Sequence, residues 1–294
     1  MYAVPASIGG CAVLTVLLLA GCAPGSAAPS TAGAGSTAVP EAPTFDALID
    51  VGDDREIAAS CWGDGEPTII YLHGLIMPYD DANWAHAPEL RERLLDESTY
   101  CEYERANVGR SSAQEGPIPL EDTLADLDAV LDGIGATSPV VLVGGSFGGI
   151  VASSYAGTRP DRVAGVVLLD PSLAGSNALE EQHLPPEYRL TPEAWNDSAE
   201  KIDVYAADLV ALAALDSIPR VPGTVFVTEH IELPPVNTEA FLAAIRAQQQ
   251  ELADRFSPGE LVTVDTPHAM IAHVPDDIAA AILGVIEAAG LDTS

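Results

Sequence analysis

Four short runs, at residues 68–72, 140–143, 163–169 and 224–227, are almost wholly apolar and rich in Val, Ile and Leu, and longer segments of a different rhythm separate them. In those segments apolar residues recur every three or four positions: Leu120, Leu124, Leu127, Leu131 and Ile134, then Phe241 and Ile245, then Ile278, Ile282, Val285 and Ile286. An apolar run without polar alternation suits a strand buried on both faces, and such strands are parallel, joined by crossover helices that cover the sheet. Residues 45–294 are therefore predicted to form one α/β domain with a mostly parallel sheet and helices on both faces. With 294 residues, 48% of them hydrophobic, the chain can bury the single large core this requires. Residues 172–220 exceed the length of one crossover and are broken by Pro185 and Pro186, which predicts a small helical lid inserted between strands 6 and 7.

The N-terminal end follows neither rhythm. Residues 12–20 are apolar but too short to span a bilayer, and they end in small residues, as a secretory signal does before its cleavage site. Leu19-Ala20-Gly21-Cys22 resembles the bacterial lipoprotein box, in which the cysteine is lipidated, although the preceding residues contain no Lys or Arg. Residues 1–22 are read as a signal peptide with Cys22 as the lipidation site. Residues 23–44, dominated by Ala, Gly, Ser, Thr and Pro, are read as a flexible linker. The chain is expected to be exported, either anchored to the cell membrane through lipid at Cys22 or extracellular, with no other membrane contact.

Twelve basic residues against 44 acidic ones give a formal charge of -32, which repels phosphate backbones and argues against nucleic acid as a partner. The acidic residues come in short pieces such as Asp53-Asp54 and Glu180-Glu181, the pattern of a solvated surface.

Gly144-Gly145-Ser146-Phe147-Gly148 follows the second apolar run directly and precedes a helix-like segment. A serine on a sharp strand-to-helix turn is exposed for nucleophilic attack, and glycines two positions either side remove the side chains that would clash there. A hydroxyl is a poor nucleophile until a base takes its proton and a carboxylate orients that base. Of six histidines, His268 is the candidate base, since it follows a last strand at 261–264 and precedes the helix opened by Pro275. His273 is its rival. His86, His183 and His230 are read as structural. The histidines are far apart in sequence and no H-E-x-x-H or C-x-x-C spacing occurs, so no metal and no other cofactor is expected.

With these motifs in place, residues 45–291 resemble the α/β-hydrolase superfamily. Leu72-His73-Gly74 is similar to the family's HG oxyanion segment, which implies that the main-chain N–H groups of Leu75 and Phe147 face the oxyanion and that His73 is structural. Residues 103–111 resemble the family's strand-four YDRxGxGxS turn, with Glu104 in place of the Asp and Asn107 in place of the first Gly, and Arg105 then serves as scaffold. The resemblance leaves three candidates for the acid: Asp170, at the end of the third apolar run, and Glu232 and Glu229, in the loop after the fourth.

Cys61 and Cys101 are the cysteines of the folded body of an exported chain and are expected to pair, against the alternative of two buried thiols. The family's sheet makes their strands neighbours, which brings them within bonding reach. Together these readings predict a serine hydrolase that cleaves a carboxylic ester of a small-molecule acyl substrate through an acyl-enzyme on Ser146. An exported aminopeptidase-like amidase, or a non-catalytic surface binding lipoprotein of the same fold, is the alternative.

Overall fold

Each of the four apolar runs folds as an inner strand of one eight-stranded sheet. The structure is a computed structural model that describes residues 42–80, 82–95, 98–231 and 238–291. The expected leader, Cys22, nearly all of the linker and the candidate acid Glu232 lie outside the described residues. In chain order the elements begin with β1 (Phe45–Gly52), β2 (Arg55–Trp62), β3 (Thr68–Leu72), α1 (Pro88–Leu94), β4 (Thr99–Glu104), α2 (Leu120–Gly133), β5 (Val140–Gly145) and α3 (Phe147–Thr158). They continue with β6 (Val163–Leu169), α4 (Ser176–His183), α5 (Val204–Ala214), β7 (Gly223–Thr228), α6 (Thr238–Ala253), β8 (Gly259–Val264) and α7 (Pro275–Ala288). The sheet order is β1-β2-β4-β3-β5-β6-β7-β8. β2 is antiparallel to both β1 and β4, and the other neighbours are parallel.

The apolar runs lack alternation because the sheet has a core on each face. Ile70, Leu72, Leu142, Val166, Leu168, Val225 and Val227 face one core, which takes in Leu120, Leu124, Leu127 and Leu131 of α2 and most of α3. Their immediate neighbours Ile69, Tyr71, Val141, Val143, Val167, Leu169 and Phe226 face the other, built with Leu90 and Leu94 of α1 and Ile278, Ile282, Val285 and Ile286 of α7. The period of two survives as a division between two cores, where a one-sided sheet would show apolar against polar.

Cys61 and Cys101 stand directly opposite each other in the β2–β4 register, 4.1 Å apart at Cα, and are bonded. Both are buried, so the bond ties the antiparallel edge of the sheet to its parallel centre.

The insertion 172–220 is helical, as predicted, and its α5 packs along the flank of α3. Ala207, Ala211 and Ala214 of α5 are buried, and a Cβ on Gly157 of α3 would lie 2.3 Å from the Ala214 carbonyl oxygen, so the two helices touch backbone to backbone. Asp208 accepts hydrogen bonds from the Ser176 backbone N–H at 2.8 Å and hydroxyl at 3.0 Å, which fastens α4 to α5. The Ala-rich face of α5 approaches closely enough to complete the burial of α3, while other parts of the insertion stay at the site, where the Ser172 N–H donates to the Ser146 carbonyl and the Ala199 N–H to the Ile76 carbonyl, each at 2.9 Å.

Candidate active site

β5 ends at Gly145 and α3 begins at Phe147, so Ser146 makes the turn between them alone. Its φ of 51° and ψ of -119° belong to a region that residues with a Cβ rarely occupy. Neighbours on both sides hold it there: its N–H donates to the Leu169 carbonyl at 3.0 Å, and its own carbonyl accepts from the N–H groups of Gly149 and Ser172, each at 2.9 Å. The flanking glycines are needed for close approach. A Cβ on Gly148 would sit 1.9 Å from the Leu72 carbonyl oxygen, and one on Gly144 would sit 2.5 Å from the Gly148 carbonyl oxygen. Phe147 opens α3, so its N–H has no preceding helical turn to bond and points with the positive end of the helix dipole.

The segment after β3 runs alongside. A Cβ on Gly74 would lie 3.3 Å from the Ser146 Cβ, and the next residue, Leu75, lines the same cavity as the serine. His73 is fully buried; its Nδ1 donates to the Gly74 carbonyl at 2.7 Å and its Nε2 accepts the Arg105 N–H at 3.4 Å. Burial, and after it the Arg105 guanidinium, push His73 well below the usual imidazole range, so the ring is neutral and structural.

Arg105 holds this segment in place. Its guanidinium donates to the carbonyls of His73 and Gly74, both at 2.7 Å, and to Glu200 at 2.6 and 2.9 Å. Glu200 in turn accepts the Ile76 N–H at 2.7 Å. Burial works against the charge on Arg105, but Glu200 outweighs it and raises the guanidinium above its ordinary value. Glu200 comes from the insertion and was missed by sequence reasoning, since a single Glu among 44 acidic residues carries no local signal. Asn107, which stands where the family pattern has Gly, takes a φ of 69° and donates from its side-chain amide to the carbonyls of Gln114 and Glu200, each at 3.0 Å. Asn tolerates that left-handed conformation better than most residues.

His268 follows β8, and its Nδ1 donates to Asp170 Oδ2 at 2.5 Å. Asp170 follows β6 directly with a φ of 42°, and its other oxygen accepts the Thr228 N–H at 3.2 Å. Glu229 follows β7 with its N–H donating to the Val264 carbonyl, and it is exposed. The rival His273 caps the turn Met270–Ala272. His230 pairs with Asp265, and His183 lies with its ring centroid 6.0 Å from that of Phe241.

Ser146 and His268 line one cavity of about 500 Å³. Tyr71, Leu75, Ile76, Leu169, Met270 and Ile271 give it an apolar lining, and Asp80, Asn83, Trp84, His86 and Glu89 bring polar groups to one wall. None of the lining residues comes from 172–220. His86, read from the sequence as structural, lies just before α1, where Glu102 and Glu104 of β4 meet its two ring nitrogens at 2.9 and 3.4 Å. Those two carboxylates, Glu102 first, raise its pKa to about 9.

A family model described as alpha/beta hydrolase fold matches residues 67–233, and the chain belongs to that family. It is therefore an alpha/beta hydrolase, as the strand-to-helix serine and the HG segment suggested. Among curated proteins, Lipase LipV of Mycobacterium tuberculosis (strain ATCC 25618 / H37Rv) is 34% identical over 200 residues, which cover 56% of this chain and 75% of that protein. Solved structures of the same fold include a thermophilic esterase from Thermogutta terrifontis, with TM-score 0.54 and 21% identity over 83% of this chain and 99% of that one. Another is the ferulic acid complex of Est1E from Butyrivibrio proteoclasticus, with TM-score 0.60 and 17% identity over 82% and 99% of the two chains.

Proposed function

We propose that the protein hydrolyses a carboxylic ester through an acyl-enzyme at Ser146. The single observation that carries the reading is the His268–Asp170 contact at 2.5 Å, made between two different loops, with His268 and Ser146 lining one cavity. In the first half-reaction Ser146 Oγ forms a bond to the acyl carbon while His268 takes its proton. The tetrahedral oxyanion is held by the N–H groups of Leu75 and Phe147. The ester C–O bond then breaks, and the alcohol leaves with the proton from His268. Water repeats the sequence on the acyl-enzyme, releasing the acid and restoring the serine. Asp170 keeps the imidazole in the tautomer that presents Nε2 to the serine and stabilises the imidazolium that forms.

The apolar cavity lining supports an uncharged acyl group of modest size. The carboxylates of Asp80 and Glu89 on its wall, in a chain of charge -32, disfavour an anionic one. The relative named as a lipase supports an ester over an amide, and the His268–Asp170 pairing supports an enzyme over a non-catalytic binding lipoprotein. Labelling by a fluorophosphonate tests the reading. Wild type should label and Ser146→Ala should not, and equal poor labelling of both would remove the enzyme reading. We also propose export with lipid attachment at Cys22, for which incorporation of radiolabelled palmitate should disappear in Cys22→Ala.

A further inference from the structure

His86 lines the cavity but takes no part in the cleavage proposed above. It stands between the 3-10 turn Ala82–Ala85 and α1, in a stretch that also carries Asn83, Trp84 and Glu89 along the cavity wall. From β4, Glu102 and Glu104 reach its two ring nitrogens, and Glu102 uses its other oxygen to accept the Ala87 N–H at 2.8 Å. Both carboxylates are nearly inaccessible, at 0% and 7% of their side-chain surface, and the imidazole is 30% exposed. Two buried carboxylates on one strand need a counter-charge that reaches both of them, and the imidazolium does. Of these two carboxylates Arg110, which also pairs with Asp46 at 2.8 Å, approaches only Glu104, at 3.7 Å, and a protonated ring at position 86 therefore binds this stretch to the sheet.

We infer that His86 is a positioning residue: clamped by Glu102 and Glu104, it holds the wall from Asn83 to Glu89 against β4 and sets how tightly the acyl group is seated. The inference rests on the ester-hydrolase reading for its link to substrate, whereas the clamp itself stands on the geometry. The surrounding titratable groups leave His86 as the one that switches. Burial holds Tyr71 of β3 and Tyr100 of β4 above their ordinary range and His73 well below its own. Arg110 keeps its charge, Glu89 of α1 shares the wall, and Asp276 of α7 is engaged by Arg93 of α1. The clamp is complete while the ring is protonated and opens as pH rises through about 9.

The full chain is assayed with p-nitrophenyl butyrate, with kcat expressed per fluorophosphonate-labelled site, and Trp84 emission gives a reading that needs no turnover. In wild type, KM and Trp84 emission should both change as pH passes about 9, while kcat does not follow that transition. A Trp84→Phe control identifies the share of Trp84 in the emission. His86→Gln should raise KM roughly tenfold near neutral pH with kcat per labelled site little changed, the signature of lost ground-state seating, and should abolish both transitions. His86→Lys keeps the positive charge and should recover most of the low KM. An unchanged KM in His86→Gln, a loss explained wholly by a smaller labelled fraction, or a flat wild-type emission profile overturns the inference. If wild type neither labels nor turns over, the functional reading is what fails, and the emission comparison still decides the clamp.

Discussion

Replacing Glu200 by Gln tests how the His73–Gly74 segment beside Ser146 is held. The Glu200 side chain is 0% exposed and that of Arg105 3%, so the substitution leaves a guanidinium buried without its counter-charge. The new amide also turns NH₂ donors toward guanidinium donors where two acceptors stood before, while one oxygen remains for the Ile76 N–H. Removing one partner of a buried pair costs about 3–5 kcal/mol, a large share of the roughly 5–15 kcal/mol that stabilises a folded domain. At about 2–4 °C per kcal/mol for a domain of this size, Tm should fall by about 6–20 °C. Activity should fall beyond the loss of folded protein, because the same guanidinium holds the carbonyls of His73 and Gly74, immediately before Leu75. Misplacing one oxyanion donor costs about 10²–10³ in kcat. The assays are urea unfolding followed by circular dichroism, and turnover per fluorophosphonate-labelled site at a temperature where the variant is folded. An Arg105→Met, Glu200→Gln double-mutant cycle should return a coupling of several kcal/mol. A Glu200→Gln protein within about 1 kcal/mol of wild type and with unchanged turnover per labelled site would refute the reasoning.

If Asp170 orients His268 as proposed, Asp170→Asn should lower kcat by about 10⁴ with little change in fold, as measured by turnover beside a thermal melt; a drop of less than tenfold would point to another acid. Gly148→Ala should destabilise by about 1–3 kcal/mol or more, since the added methyl meets the Leu72 carbonyl oxygen at 1.9 Å and neither backbone can yield without moving Ser146. Chemical denaturation should show Cys61→Ala, Cys101→Ala weaker by about 2–4 kcal/mol, the range for a cross-link closing a loop of 40 residues. The His86 ring has a folded pKa raised to about 9, so its contribution to stability is full below the unfolded value and is lost as pH rises through about 9. Unfolding midpoints of wild type and His86→Gln in urea should therefore differ most near pH 6 and converge near pH 10.

What could be seen in the sequence was what depends on neighbours along the chain. Strand runs and helical stripes are periodicities of three to four residues or less, and the turn at Ser146 shows itself through Gly144 and Gly148, two positions away on each side. The role of the insertion was not visible in this way. Its length and its two prolines indicate helical pieces, but where they pack depends on which surface accepts the Ala-rich face of α5, and that surface is α3. His86 likewise offers one ring in a polar stretch, and its clamp exists only because β4 runs beneath it.

The sequence by itself determined the α/β architecture, the strand-to-helix turn at Ser146 and the place of His268 after the last strand, because backbone sterics and hydrophobic period act over a few residues; the cysteine pair, 40 residues apart, followed from the resemblance to the family. Only the tertiary structure decided that Asp170 meets His268 from 98 residues away and that Glu200 anchors Arg105 from 95 away. A carboxylate is the same group wherever it stands in the chain. Its partner is set by which loops the sheet brings to one end.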